Sequence, residues 1–202
     1  NREVGPSMRL MSTAGIAADL NNASIYNCSY LPLESAQDFH DLTLLLGLGV
    51  GVGFSVEKHF VDSFGMVREA TGNTYTYKIG DDIYSWAQSI KFLVEHAMAG
   101  DNVAFDYSLI RPAGSPLKTR GGRASGPAPL MDAHGKIQEL LASRRGMKLT
   151  TIDAFDIACH IAGAIVSGGV RRSAMIAIFD KDDKLMLDAK SYGWWEENLQ
   201  RQ

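Results

Sequence analysis

Between Phe39 and Phe54 the spacing of apolar residues changes period, and that change leaves the chain little freedom in how it folds. Phe39, Leu42, Leu45 and Leu46 recur at helical spacing behind Ser35-Ala36-Gln37-Asp38, a helix-opening run. From Gly47 the pattern becomes strict alternation, Gly47-Leu48-Gly49-Val50-Gly51-Val52-Gly53, leading into an extended run from Val50 to Val56. A helix that passes directly into a strand is half of a parallel α/β unit, because parallel strands need a crossover between them. The alternation is expected to put all four glycines on one face of the extended segment. A face without side chains lets another backbone, a base or a sugar come close; tight helix-to-strand packing is the other use for it. The run is not a dinucleotide fingerprint, which needs G-x-G-x-x-G after a strand and at the start of a helix.

The rest of the chain repeats the theme. Strands are expected at Ile25 to Leu33, at Val103 to Ile110 (with Val103, Phe105, Tyr107 and Leu109 on one face) and at Ala174 to Phe179. Helices are expected behind Asp81 or Asp82, behind Asp132 with Ile137, Leu140 and Leu141 inward, and from Thr151-Ile152-Asp153 with Phe155, Ile157, Ala158, Ile161 and Ile165 inward. The fold class is α/β with a parallel sheet. The polar stretch from Glu57 to Gly80 shows little periodicity and reads as an insertion or surface excursion.

Bulk properties narrow the function. A formal net charge of −3 over 202 residues argues against a nucleic-acid partner. The longest uncharged apolar run, Leu42 to Phe54, is too short and too rich in glycine to span a membrane. Two cysteines are too few for a secreted disulfide scaffold, so a reducing cytoplasm is the expected location. No signal-peptide core follows Asn1-Arg2-Glu3, and the chain reads as a piece of something longer. The histidines stand apart from one another without metal-ligand spacing, so no metal site is expected.

Two loops carry candidate binding chemistry. The segment from Arg111 to Pro127 holds four basic residues, four glycines and three prolines, giving fixed bends, free backbone N–H groups and positive charge suited to phosphates. Ser167-Gly168-Gly169-Val170-Arg171-Arg172-Ser173 joins the last helix to the last strand. It reads either as a capped helix with solvated arginines or as a loop that contacts an anion. Cys159 lies mid-helix and is expected to be a buried, inert thiol; Trp194-Trp195 reads as an apolar anchor. Cys28, in Tyr26-Asn27-Cys28-Ser29-Tyr30, is open on these grounds to four roles: half-disulfide, metal ligand, small buried hydrophobe or reactive thiol.

Tyr26-Asn27-Cys28-Ser29-Tyr30, R-P-A-G-S-P-L-K-T-R-G-G-R-A-S-G-P and S-G-G-V-R-R-S-A, in that order, resemble ribonucleotide reductases. The nearest class is class II, the adenosylcobalamin-dependent one, in its monomeric ribonucleoside-triphosphate reductase type. The resemblance implies that residues 1–202 are part of a catalytic domain, the first half of a ten-stranded α/β barrel built from two five-stranded parallel halves. The four strands read above would belong to that half. An insertion at about 56–104, between the second and third strands, would stand in for a dimer contact and help form an effector site. The implied activity is thiyl-radical reduction of ribonucleotides to deoxyribonucleotides, with adenosylcobalamin as cofactor, a dNTP as allosteric effector, a thioredoxin-like reductant and a monomeric full enzyme.

Carried over residue by residue, Cys28 matches the first cysteine of the redox pair that delivers two electrons, and Asn27 is its neighbour at the substrate. Ser7 matches a hydroxyl residue that helps hold substrate phosphate. Val50 and Gly51 match backbone near ribose and base. Gly168, Gly169, Val170, Arg171, Arg172 and Ser173 match the loop that reads the base and relays effector identity. Glu34, Ser35, Arg111 and Lys118 match the effector region. The sequence departs from the family at Arg120, where an aromatic residue is usual, and at Arg123, where threonine is usual. It contains no N-x-C-x-E run for the radical cysteine, so the isolated chain is expected to be inactive. A non-catalytic nucleotide-binding module that kept the loops is the competing reading. A flavin or nicotinamide oxidoreductase would rest on the alternating glycines alone, whose spacing argues against it.

Overall fold

The computed structural model describes residue 5 and residues 7–116, 123–167, 174–191 and 193–201. Along the chain the elements are α1 (Met8–Thr13), α2 (Ile16–Leu20), β1 (Cys28–Pro32), α3 (Ala36–Gly47), β2 (Gly51–Ser55), α4 (Lys58–Val61), β3 (Thr74–Lys78), α5 (Ile83–Met98), β4 (Asn102–Asp106), α6 (Ala128–Ser143), α7 (Thr151–Ser167), β5 (Met175–Ile178), α8 (Lys184–Leu187) and α9 (Trp194–Glu197).

β1, β2 and β5 form a parallel sheet in that order, with β2 in the middle. Cys28 lies opposite Gly51 and Tyr30 opposite Gly53 on one side of β2; Val52 faces Met175 and Gly53 faces Ile176 on the other. Alternation sends Val52 and Phe54 to one face, where they are buried, and leaves Gly51 and Gly53 on the other. The buried face packs on helices. Phe54 stacks on Phe155 of α7 with ring centroids 6.3 Å apart, and Phe39, Leu42 and Leu46 of α3 join the same core. α3 and α5 run antiparallel: Lys91 Nζ donates to Gln37 Oε1 at one end (2.8 Å), and Gly47 meets Ile83 at the other. α5, α6 and α7 complete the helical layer through Ile90, Leu93, Ile137, Leu141 and Ile157, all buried.

The third expected strand is shorter than anticipated and joins a different sheet. β4 pairs in parallel with β3, as a two-stranded sheet separate from the first. Only three of the four expected strands therefore lie side by side in the main sheet. β3 lies within the stretch whose polarity suggests a surface excursion. Thr74-Tyr75-Thr76-Tyr77 alternates β-formers, but all except Tyr77 are exposed, so the hydrophobic pattern is silent. α6 begins at Ala128 rather than behind Asp132, because Pro127 and Pro129 preset the backbone for a first turn. Among the described residues no helix is long and apolar enough to cross a membrane.

A buried polar chain fixes the junction of α5, α6 and β4. Ser89 Oγ donates to the Trp86 carbonyl (2.7 Å), which leaves its oxygen to accept from His134 Nε2 (3.0 Å). His134 Nδ1 then accepts from the Tyr107 hydroxyl (2.9 Å), and the ring stacks on Phe105. Every partner is satisfied only with a neutral imidazole. Burial pushes His134 down to about 3 and Tyr107 up to about 12. The unfolded chain protonates His134 near its ordinary value of 6.5 and the folded chain does not, so stability is full above that pH and falls with acidification. Urea unfolding should show wild type losing about 1.4 kcal/mol per pH unit more than His134→Gln between pH 6 and 5. Parallel stability curves for the two proteins would contradict this.

Candidate active site

The starts of the three main-sheet strands bring the expected substrate residues Asn27, Val50 and Gly51 to one edge. Gly51 N–H donates to the Asn27 carbonyl (2.8 Å), and Val52 N–H donates to the Ala174 carbonyl (2.9 Å). Asn27, Gly51 and Ala174 are thus adjacent, with Cys28 beside Gly51. Gly168, Gly169, Val170, Arg171, Arg172 and Ser173 lie outside the described residues, but Ala174, which follows them, sits at this edge.

On the open face the middle strand is floored by glycine. A methyl group on Gly51 would meet the Asn27 and Ala174 carbonyl oxygens, at 3.5 and 3.8 Å, and the Ala174 methyl at 3.9 Å. One on Gly53 would touch Ile176 (3.5 Å) and the Tyr30 ring (3.7 Å). The floor is bordered mainly by backbone at Gly51, beside Cys28, and by the Ile176 and Tyr30 side chains at Gly53. The expectation of four glycines on one extended face is corrected: Gly47 is the last residue of α3, and Gly49 is a turn residue at φ +79°. Helix packing and an open backbone face are both realised, by different glycines. Gly47 admits Ile83, whose Cδ1 takes up the space where a Cβ would stand. Val50 is buried, so only its backbone is available.

The two cysteines occupy opposite sides of the sheet. Cys28 is exposed on the open face, and Cys159 is buried behind the sheet with Phe54, Phe155 and Met175. Neither is in a disulfide. Burial, reinforced by the Asp156 carboxylate one turn away, pushes the Cys159 thiol up to about 12, as suits an inert group. No cluster of three His, Cys, Asp or Glu suited to a metal occurs among the described residues.

Ser7 is exposed and caps α1, its Oγ accepting from Leu10 N–H (3.2 Å). Sequence reading missed Arg9, which bonds the turns ahead of β1 and β2: Nε to Ser24 O (2.8 Å), Nη1 to Gly49 O (2.8 Å) and Nη2 to Leu48 O (2.9 Å). Nothing in its neighbours marks it. Tyr30 was also missed as a site residue, although strand alternation puts it on the face of Cys28.

Among the described residues, Glu34 and Ser35 stand apart from Arg111. Ser35 caps α3, and the Asp38 carboxylate accepts from its N–H and Oγ (both 2.7 Å) and from Glu34 N–H (3.1 Å). Arg111 pairs with Asp81 (2.7 Å) just ahead of α5. Since Gly47 meets Ile83, the two groups lie at opposite ends of α3, about 18 Å apart for a helix of 12 residues. The base of the 111–127 loop is a short antiparallel contact between Pro116 and Arg123, with Arg123 Nη1 donating to Gly114 O (3.0 Å). Arg123 thus closes the loop. Lys118 and Arg120 lie outside the described residues.

This is a parallel α/β sheet of the kind found in the B12-dependent reductases: a crystal structure of a B-12 dependent (class II) ribonucleotide reductase matches with a TM-score of 0.73 and 22% identity, over 84% of this chain and 31% of that one. The sequence is 38% identical to the adenosylcobalamin-dependent ribonucleoside-triphosphate reductase of Euglena gracilis over 180 residues, covering 88% of this chain and 24% of that protein. The Lactobacillus leichmannii protein of the same name is 35% identical over 120 residues, covering 56% and 16%. No family model matches. The chain is thus a homologue of adenosylcobalamin-dependent ribonucleotide reductases over most of its own length, and it spans about a quarter of the length of the Euglena relative.

Alkylation distinguishes the two thiols. In the native chain at pH 8, iodoacetamide should modify Cys28 and spare Cys159, and both should react in urea. Mass spectrometry of the digested protein reads the outcome, and comparable native labelling of Cys159 would contradict its placement.

Proposed function

We propose that the chain is the part of a class II ribonucleotide reductase catalytic domain that supplies one reducing cysteine and one wall of the substrate site. The observation that carries this reading is Cys28, exposed at a strand start beside Gly51, where the bare backbone lets a sugar lie against the sheet. In the overall reaction a ribonucleotide and two thiols give a deoxyribonucleotide, a disulfide and water. The pair supplies two electrons and two hydrogens; one hydrogen leaves with the 2′-hydroxyl as water and the other ends on C2′. Cys28 is one thiol. The second belongs to the remainder of the full-length protein, since Cys159 lies behind the sheet. The radical that activates the ribose also arises outside this segment.

Asn27 and Gly51 present backbone to the ribose, Ser7 a hydroxyl to the phosphates, and residues 168–173 take the part of the loop that reads the base and relays effector identity. Adenosylcobalamin, on which the relatives depend by name, does not fit the described residues. Among the described residues the open face is a narrow floor of two glycines between Cys28, Tyr30 and Ile176, side chains that offer a corrin no set of polar partners. Its seat is assigned to the rest of the protein, and no step here runs through it.

The three-stranded sheet is read as part of the first half of a ten-stranded barrel, and residues 56–104 as the insertion of the monomeric reductases. A dNTP effector, a thioredoxin-like reductant and a cytoplasmic setting complete the proposal; dithiol chemistry needs a reducing compartment. Because Glu34 and Ser35 lie a helix length from Arg111, a dNTP contacting Arg111 and the 111–127 loop is favoured over one that bridges both groups.

The test is reduction of CTP by the full-length protein with adenosylcobalamin and reductant. Wild type should form dCTP over many turnovers. Cys28→Ser should lose steady-state turnover by at least about a thousandfold while still binding adenosylcobalamin. Normal turnover of the variant with thioredoxin would remove Cys28 from the redox pair. The 202-residue chain alone should give no product.

A further inference from the structure

We infer that Arg9 is a positioning residue for the substrate edge, holding the segment that carries Ser7 against the starts of β1 and β2. The inference rests on the proposed reading of that edge as the ribonucleotide site. α1 is six residues long, and Met8 and Met11 are 82% and 59% exposed. So short a helix with so little buried apolar surface does not hold itself in place. Its anchor is the Arg9 guanidinium, whose planar fork reaches the carbonyls of Ser24, Leu48 and Gly49.

Those carbonyls stand just ahead of the two strands that begin with Cys28 and Gly51. One side chain thereby joins segments 15 to 40 positions away in sequence. Leu48 and Gly49 also follow the C-terminal end of α3, where the helix dipole favours a cation. A lysine ammonium, a point charge without a fork, cannot reproduce this set of bonds.

The consequence falls on binding rather than on chemistry. Cys28 is held by the ladder between β1 and β2, whose first rung joins Gly51 N–H to Asn27 O independently of Arg9. α1 and Ser7 have no such ladder. Without the guanidinium they would be ordered only when nucleotide binds, and the ordering cost would appear as lost affinity.

The test uses the full-length reductase with CTP as the substrate probe, adenosylcobalamin and dithiothreitol. Arg9→Met should raise KM about tenfold while kcat falls by less than about threefold, and Arg9→Lys should lie between it and wild type. An unchanged KM in Arg9→Met, or a fall in kcat without a rise in KM, overturns the inference. If Arg9→Met does not fold, Arg9→Lys decides: a KM raised by about threefold or more supports positioning, and a wild-type KM overturns it. A wild type that makes no dCTP would refute the proposed function instead. Hydrogen exchange at the amides of residues 8–13 then still tests the anchor, with faster exchange in Arg9→Lys supporting it and unchanged exchange overturning it.

Discussion

β2 is the strand of the main sheet that is hydrogen-bonded on both sides, and its composition determines what each face can do. Val52 and Phe54 turn toward the helices, where each buried side chain contributes about 1.5–3 kcal/mol. Gly51 and Gly53 turn the other way and contribute no side chain at all. Stability is drawn from one face, and the other is left accessible beside Cys28. A β-branched residue at Gly51 would suit the strand better locally and would fill the space that the proposed chemistry needs.

The sheet also separates two groups that are identical in type. Cys28 and Cys159 are both free thiols, but one meets solvent on the bare face and the other is enclosed by Phe54, Phe155 and Met175. The difference in their chemistry comes from the side of β2 on which each lies. His134, locked between Ser89 and Tyr107, also takes its character from its surroundings: it is a structural connector whose neutrality is enforced by its neighbours.

Much of this arrangement was legible in the sequence wherever an apolar period was strong. The helix-to-strand switch at Gly47 marked the end of α3 and the start of β2 to within a few residues, and the parallel character of the sheet followed from it. Cys28 could be singled out, but only the motif around it favoured a redox role over the other three. Pairing was not legible. β4 has the alternation expected of a main-sheet strand, yet its partner β3 is an exposed polar strand that burial patterns do not reveal. Arg9 was invisible because its partners are backbone carbonyls, which every residue possesses. The distance between Glu34 and Arg111 depends on the direction of α5 against α3, which no local pattern carries.

β3, α5 and β4 together make a parallel strand pair with its crossover helix, and α5 is at the same time a wall of the helical layer that covers the main sheet. The stretch from Thr74 to Asp106 is therefore not an ornament that a trimmed or recombined chain could shed. Excising it would strip Ile90, Leu93 and Val94 from the packing of α3 and α6 and leave Ser89 missing from the His134 chain. The two strands could be shortened without touching that packing, whereas the helix between them could not.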